Sequence, residues 1–130
     1  MTPLRAVAYV TRGAELLVFH EGGDERLQVP AGRCDPGESL EATVHRELAE
    51  EVGVRARVVR EVGVLTRERG SFGVYESHYF HCETDDPRDA WTHVVTGDGD
   101  DAGLVVHCAF VPLRGVQLVS DHGEFLHELP

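Results

Sequence analysis

The chain has 130 residues, which suits one domain with a core of moderate size. Its formal net charge of −11 disfavours nonspecific binding of DNA or RNA, which needs clustered basic residues, but it permits a phosphorylated substrate if a divalent cation lies between protein and phosphate. No apolar run approaches the roughly 20 residues that cross a bilayer, and the N-terminus lacks a signal-peptide pattern. We therefore expect a cytoplasmic protein with no membrane partner.

In chain order, the first elements are two strands at residues 4–10 and 15–20, separated by a turn at Arg12 and Gly13. A short extended piece at 27–30 ends at Pro30, and glycine and proline predict an irregular loop at 31–38. A helix should then span residues 39–52, with Ser39 as its N-cap and Gly53 just beyond its C-terminus.

The second half of the chain predicts mainly strands. Residues 54–65 favour one or two strands with a bulge at Gly63, and residues 71–83 favour a strand of about ten residues. A long polar loop is expected at 84–103, a strand at 104–113, and a short closing helix at 120–129. Many strands around one well-marked helix indicate a mixed sheet with helices packed on it.

The three cysteines, Cys34, Cys82 and Cys108, are odd in number and lack the spacing of a metal site. We expect them to be reduced, unpaired thiols.

The predicted helix carries an unusual set of carboxylates. Glu47 and Glu51 lie beside its apolar stripe and Glu50 lies further round the same flank. Like charges at this spacing destabilise a helix, and Arg46 alone does not neutralise three glutamates. Hard divalent cations take oxygen ligands, so a metal would offset the repulsion. The alternative is a solvated, charged helix face.

Residues 32–54, GRCDPGESLEATVHRELAEEVGV, resemble the signature of the Nudix (MutT-like) hydrolase family. Every position that this signature specifies is matched: Gly32, Glu38, Arg46, Glu47, Leu48, Glu50, Glu51, Gly53 and Val54. The resemblance implies a single domain over residues 1–130, an α/β/α sandwich with a central mixed sheet, and an active-site loop–helix–loop. It also implies hydrolysis of a diphosphate linkage in a nucleoside diphosphate joined to another group.

The resemblance also implies roles for individual residues. Glu47, Glu50 and Glu51 match the ligands of Mg²⁺ or Mn²⁺, and a main-chain carbonyl at Ala31 or Gly32 would complete the site. Arg46 matches the residue that orients a glutamate, and Glu38 matches a supporting position behind it. Glu47 is the first choice for the general base, and Glu50 or a loop carboxylate is the alternative.

The resemblance also implies a further acidic ligand or base from a distant loop. Asp98, Asp100 and Asp101 are the candidates, although each is equally consistent with a solvated acidic loop, and Glu76 is a weaker alternative.

Several rings could stack on a nucleobase, and we take Trp91 and Tyr75 as candidate substrate contacts. Phe72 and Tyr79 are also aromatic, but aromatic residues on strands are more often part of a core. The histidines His78, His93 and His107 are expected to be ordinary hydrogen-bonded residues. Sequence markers of particular family substrates are absent.

Two other functions stay open. The first is a Nudix-like module that binds a nucleotide or protein without catalysis. The second is an isomerase of a prenyl diphosphate, which normally needs a catalytic cysteine that Cys34 does not convincingly supply. The resemblance allows a homodimer, but no sequence feature marks an interface.

Overall fold

The computed structural model describes residues 2–68 and 70–130, without the side chain of Phe72. The stacking role considered for that ring therefore lies outside the described part. The strands are β1 (Leu4–Arg12), β2 (Glu15–Glu21), β3 (Ala31–Arg33), β4 (Arg57–Glu68), β5 (Val74–Glu83), β6 (Ala90–Val94) and β7 (Val105–Pro112). Helix α1 (Leu40–Glu47) continues into a π-helical segment (Leu48–Val52), and short 3₁₀ turns lie at Gly70–Phe72, Ser120–Gly123 and Leu126–Glu128.

The described strands form one mixed sheet in the order β4-β5-β1-β2-β7-β6. β1 runs parallel to β5, and the other pairs are antiparallel. One edge of β1 is shared, because β2 pairs with its end at Thr11 and Arg12 while β3 pairs with Arg5, Ala6 and Val7. This arrangement places β3, and with it Gly32, beside the strand that supports α1.

Each face of the sheet is covered by a different layer. α1 and the π segment bury Val44, Leu48 and Val52 against one face. The C-terminal turns cover the other face, where Tyr9 and Tyr79 are fully buried and Phe125 packs beside them. The predicted sandwich around a central mixed sheet is confirmed, with a thin second layer. No helix in the described ranges is long and apolar enough to cross a membrane.

The closing helix predicted at 120–129 is wrong. The segment forms two 3₁₀ turns that break at Phe125 (φ −117°, ψ 19°). The break directs the Phe125 ring toward β4, where a Cβ on Gly63 would lie 2.3 Å from the ring. Packing of this ring therefore overrides the helical pattern. The predicted irregularity at Gly63 is confirmed, because the pairing register shifts between Glu61 and Gly63.

Two predicted loops contain strands. The loop predicted at 31–38 begins with β3, which completes the free edge of β1, and the loop predicted at 84–103 contains β6, which pairs with β7 along its whole length. Both strands are short and depend on a partner outside the local segment: β3 pairs with β1, and β6 pairs with β7, the next strand along the chain. The cysteines are free thiols, as predicted, and Cys82 and Cys108 are buried.

Candidate active site

The helix that carries the glutamates is fixed at both ends by its own residues. The hydroxyl of Ser39 accepts a hydrogen bond from the main-chain N–H of Ala42 at 3.0 Å, as expected of an N-cap. Gly53 takes a left-handed conformation (φ 67°) just after the helix, and its N–H donates to the carbonyl of Leu48. The predicted limits at Ser39 and Gly53 are confirmed. The change from α to π geometry at Leu48 was not predicted.

The guanidinium of Arg46 contacts several carboxylates at once. It forms a two-pronged pair with Glu38, with Nε at 2.8 Å and Nη2 at 2.9 Å from the carboxylate oxygens. Its Nη1 donates to Glu47 at 2.8 Å and to Glu50 at 3.3 Å, and its Nη2 also reaches the carbonyl of Arg33 at 2.7 Å. Because Nε and Nη2 both donate to Glu38 and only Nη1 reaches Glu47 and Glu50, the arginine offsets the charges of Glu47 and Glu50 only in part.

Glu38 is held in its charged form. Arg46 lowers the pKa of Glu38 to about 2, and the N–H of Asp35 and the hydroxyl of Thr43 also donate to its carboxylate, at 3.0 and 2.7 Å. The side chain therefore acts as a fixed anchor for the arginine, as its predicted supporting role requires.

Glu47 and Glu51 are in the opposite situation. Burial raises the pKa of Glu47 to about 7, although Arg46 opposes the rise. Burial raises the pKa of Glu51 well above its ordinary value, and the charge of Glu47 adds to the effect. The main-chain N–H of Ala31 donates to the Glu51 carboxylate at 3.1 Å, and Arg5 opposes the shift through its charge. The positive charge near Glu47 and Glu51 is thus too small to offset the burial of these two neighbouring carboxylates.

These donors suit a hard divalent cation. In the described part of the chain, no three His, Cys, Asp or Glu side chains already converge on one metal position. Even so, the partly uncompensated carboxylates supply oxygen, the donor that Mg²⁺ and Mn²⁺ prefer. A Cβ on Gly32 would lie 2.1 Å from Oε1 of Glu47, so the glycine leaves the space that this carboxylate occupies. Glu47, Glu50, Glu51 and the carbonyls of Ala31 and Gly32 are therefore the residues that could hold the ion.

Six of the predicted acidic residues border one cavity of about 480 Å³. They are Glu47, Glu50 and Glu51 from the helix and Asp98, Asp100 and Asp101 from the loop; Ala31, Gly32, Arg33 and Arg46 are also in its wall. The charge of Asp101 contributes to the raised pKa of Glu51. The structure thus brings the loop aspartates to the glutamates, whereas Glu76 lies elsewhere, 3.0 Å from His78.

Tyr75, Tyr79 and Trp91, the aromatic candidates with described side chains, do not line this cavity. Tyr79 is fully buried in the core, and Tyr75 lies 5.7 Å from the guanidinium of Arg33, a residue of the cavity wall. Trp91 is part of β6 and packs on Phe110, with ring centroids 5.7 Å apart. The prediction that Trp91 lies in a polar loop is therefore wrong, whereas its contact with substrate stays a prediction.

Sequence reasoning missed two basic residues at the site. Arg33 follows Gly32 directly, so its position in the motif was an available signal. Arg5 lines a smaller cavity of about 140 Å³ that shares Ala31, Glu51 and Asp101 with the larger one. Its role depends on the pairing of β1 with β3, which local sequence does not reveal.

Comparison with known proteins agrees with this arrangement. The family model described as NUDIX domain matches residues 1–129. A Bacillus subtilis (strain 168) protein named "Putative 8-oxo-dGTP diphosphatase" is 35% identical over 68 residues, which cover 45% of this chain and 46% of that protein. The match thus spans less than half the length of this curated relative.

Solved structures share the fold at low sequence identity. A UDP-X diphosphatase superimposes with a TM-score of 0.71 at 16% identity, over 98% of this chain and 61% of that one. An ADP-ribose pyrophosphatase from Streptococcus suis 89-1591 gives 0.70 at 18% identity, over 98% and 89%. The family model covers nearly the whole chain, and the motif at residues 32–54 and the sheet around it agree with that match. The chain therefore belongs to the NUDIX family.

Proposed function

We propose that this chain is a Mg²⁺- or Mn²⁺-dependent pyrophosphohydrolase. Its substrate would be a nucleoside diphosphate linked to another group, and the reaction would be hydrolysis of the diphosphate linkage by attack of water on phosphorus. The observation that carries the proposal is the shared cavity: Glu47 and Glu51 are buried there with too little positive charge, and Asp98, Asp100 and Asp101 line the same cavity.

Glu47, Glu50 and Glu51 would hold the cation, with the carbonyls of Ala31 and Gly32. The bound ion would neutralise diphosphate charge and make a water molecule more acidic. Arg46 orients Glu47 and Glu50 through its hydrogen bonds, and Glu38 fixes Arg46.

Glu47 is the proposed acceptor of the water proton. A general base works best when its pKa lies near the working pH; burial raises the pKa of Glu47 to about 7 in the metal-free protein, and Glu47 would keep such a value only where its carboxylate does not bind the cation directly. Glu50, or one of the loop aspartates Asp98, Asp100 and Asp101, would take this role if Glu47 serves only as a ligand.

The relatives suggest which substrates to test first. Their names refer to 8-oxo-dGTP, a UDP conjugate and ADP-ribose, and each of these contains a phosphoanhydride next to a nucleoside. The net charge of −11 would repel such anions, which is consistent with a requirement for a cation at the cavity.

The test is phosphate or nucleotide release from a panel with Mg²⁺ or Mn²⁺, and with EDTA as the metal-free control. The panel contains nucleoside triphosphates, 8-oxo-dGTP, nucleotide sugars, ADP-ribose, dinucleoside polyphosphates and capped RNA. Glu50→Gln removes a proposed ligand, while Glu41→Gln on an exposed part of α1 is the matched control.

We expect turnover that EDTA abolishes and that Glu50→Gln reduces by about 100-fold or more, while Glu41→Gln keeps wild-type activity. Wild-type protein that hydrolyses no panel member would contradict the proposal. If it nevertheless binds a nucleotide, the catalytically silent module becomes the better assignment.

A further inference from the structure

The end of the glutamate-bearing helix has an unusual set of hydrogen-bond partners. The last carbonyls of a helix receive no hydrogen bond from N–H groups of the same helix, so they need donors from elsewhere. Here the carbonyl of Glu50 accepts from the N–H of Thr96 and from Nε2 of His93, each at 3.0 Å. Nε1 of Trp91 donates to the carbonyl of Val52 at 2.9 Å.

The next carbonyl, that of Gly53, accepts from Nη2 of Arg88 at 3.0 Å. Four residues, which we call the capping residues, thus serve three carbonyls at the helix end: Arg88, Trp91, His93 and Thr96. All four belong to β6 or its immediate flanks, far along the chain from the helix. A cation near a helix C-terminus is also favourable to the helix dipole.

Close packing accompanies these hydrogen bonds. A Cβ on Gly53 would lie 2.9 Å from Nδ1 of His93, so the imidazole rests directly on the helix end. A Cβ on Gly97 would lie 2.5 Å from Cδ of Glu50, so the turn after β6 touches the carboxylate itself. The same segment therefore contacts both the main chain and the side chain of Glu50.

The helix end needs such support because its geometry is π rather than α. Isolated π turns are rare, and they persist where surrounding contacts favour them. Residues Leu48–Val52 are π-helical, and Glu50 and Glu51 are among them. A change to α geometry would increase the turn per residue within this segment and would rotate Glu50 and Glu51 about the helix axis relative to Glu47. Such a rotation would move both carboxylates relative to the cavity.

We propose that Trp91 and His93 are positioning residues. Their hydrogen bonds to the carbonyls of Val52 and Glu50 fix the π segment in register and thereby direct the carboxylates of Glu50 and Glu51 toward the cavity. His93 acts with its proton on Nε2, since the carbonyl of Glu50 can only accept. The effect on turnover rests on the proposed hydrolase function, whereas the effect on the helix end does not.

The variants separate hydrogen bonding from packing. Trp91→Phe removes the indole N–H and retains an aromatic ring beside Phe110. His93→Ala removes the imidazole, and His93→Gln restores an N–H donor at a similar reach. Thr92→Val is the matched control, because Thr92 lies on β6 between the two residues and its side chain is exposed. Urea unfolding would establish that each variant is folded under the assay conditions.

We expect Trp91→Phe and His93→Ala each to lower kcat about tenfold, the rate equivalent of one lost hydrogen bond, with KM changed less than about twofold. His93→Gln should recover kcat to within about threefold of wild type. A merely structural role would lower the amount of folded enzyme, which urea unfolding measures, and would leave kcat per folded molecule unchanged. Unchanged kcat in Trp91→Phe and His93→Ala, or an equal loss in Thr92→Val, would overturn the proposal.

Amide hydrogen exchange of the full-length protein tests the same inference without a substrate. Exchange at residues 50–53 should be about tenfold faster in Trp91→Phe and His93→Ala, while exchange in the core of β1 stays at the wild-type rate. Unchanged exchange at 50–53 would refute the positioning role even if the enzyme is active. Conversely, faster exchange in a protein that hydrolyses nothing would support the inference and reject only the proposed function.

Discussion

The charge of Glu47 should make the metal-free protein less stable as the pH rises. Its side chain is 13% exposed, and burial raises its pKa from 4.5 to about 7. A carboxyl group whose pKa is higher in the folded state binds its proton more tightly there. Its favourable contribution is therefore fully present below the unfolded pKa and is lost as the pH rises through about 7. Glu47→Gln cannot ionise, so it should abolish this part of the pH dependence.

The magnitude follows from the same values. A rise from 4.5 to about 7 corresponds to about 3 kcal/mol at full strength. Partial access of solvent to the carboxylate reduces this to roughly 1–2 kcal/mol. In the presence of EDTA, Glu47→Gln should thus be roughly 1–2 kcal/mol more stable than wild type near pH 8, and the difference should approach zero near pH 4.5.

Urea denaturation across this pH range, with EDTA present, measures the difference. The control is Glu41→Gln on the same helix, where the side chain is 67% exposed and the free energy of unfolding should follow wild type at every pH. Mg²⁺ should raise the melting temperature of wild type more than that of Glu47→Gln, because at a given ion concentration a more tightly bound ion stabilises the folded state more. A Glu47→Gln protein less stable than wild type near pH 8 in EDTA would refute the reasoning, since pairing with Arg46 would then outweigh burial.

Three further predictions concern single side chains. Arg46→Lys keeps the charge but loses the two-pronged pair with Glu38, so kcat/KM should fall roughly 10- to 100-fold in a steady-state assay. Gly97→Ala would place Cβ 2.5 Å from Cδ of Glu50, and alanine would be strained at the φ of +99° found there. The close contact and the strain should both raise the metal concentration needed for half-maximal activity. An unchanged metal titration would show that the turn adjusts freely. Tyr79→Phe removes a hydrogen bond of 2.7 Å to a main-chain carbonyl on the far side of the sheet, so urea denaturation should show a loss of about 1 kcal/mol while kcat stays at the wild-type value.

The sequence predicted well those parts of the molecule whose structure depends on residues close together in the chain. Ser39 and Gly53 limit the helix through contacts within a few residues, so their types alone indicate their positions. The strands at 4–12, 15–21 and 74–83 contain apolar or alternating runs of four residues or more, and such runs are recognised from the sequence alone. The signature at 32–54 located the acidic cluster because its residues lie close together in the chain.

The parts that sequence missed depend on distant partners. β6 is five residues long and surrounded by aspartates, and only its pairing with β7 makes it a strand. Trp91 consequently changes from a loop residue to a hydrogen-bond donor at the helix end. The π geometry at Leu48 likewise depends on donors from β6, which no local pattern contains.

The arrangement around Arg46 explains how the helix tolerates its carboxylates. A guanidinium that paired fully with Glu47 and Glu50 would offset more of their negative charge. Glu38 prevents this, because it accepts from Nε and Nη2 while the hydroxyl of Thr43 and a main-chain N–H hold it in place. Only Nη1 remains for the other glutamates. The negative charge that remains uncompensated at the cavity is therefore a consequence of how Glu38 holds the arginine, and it is this residual charge that a divalent cation would satisfy.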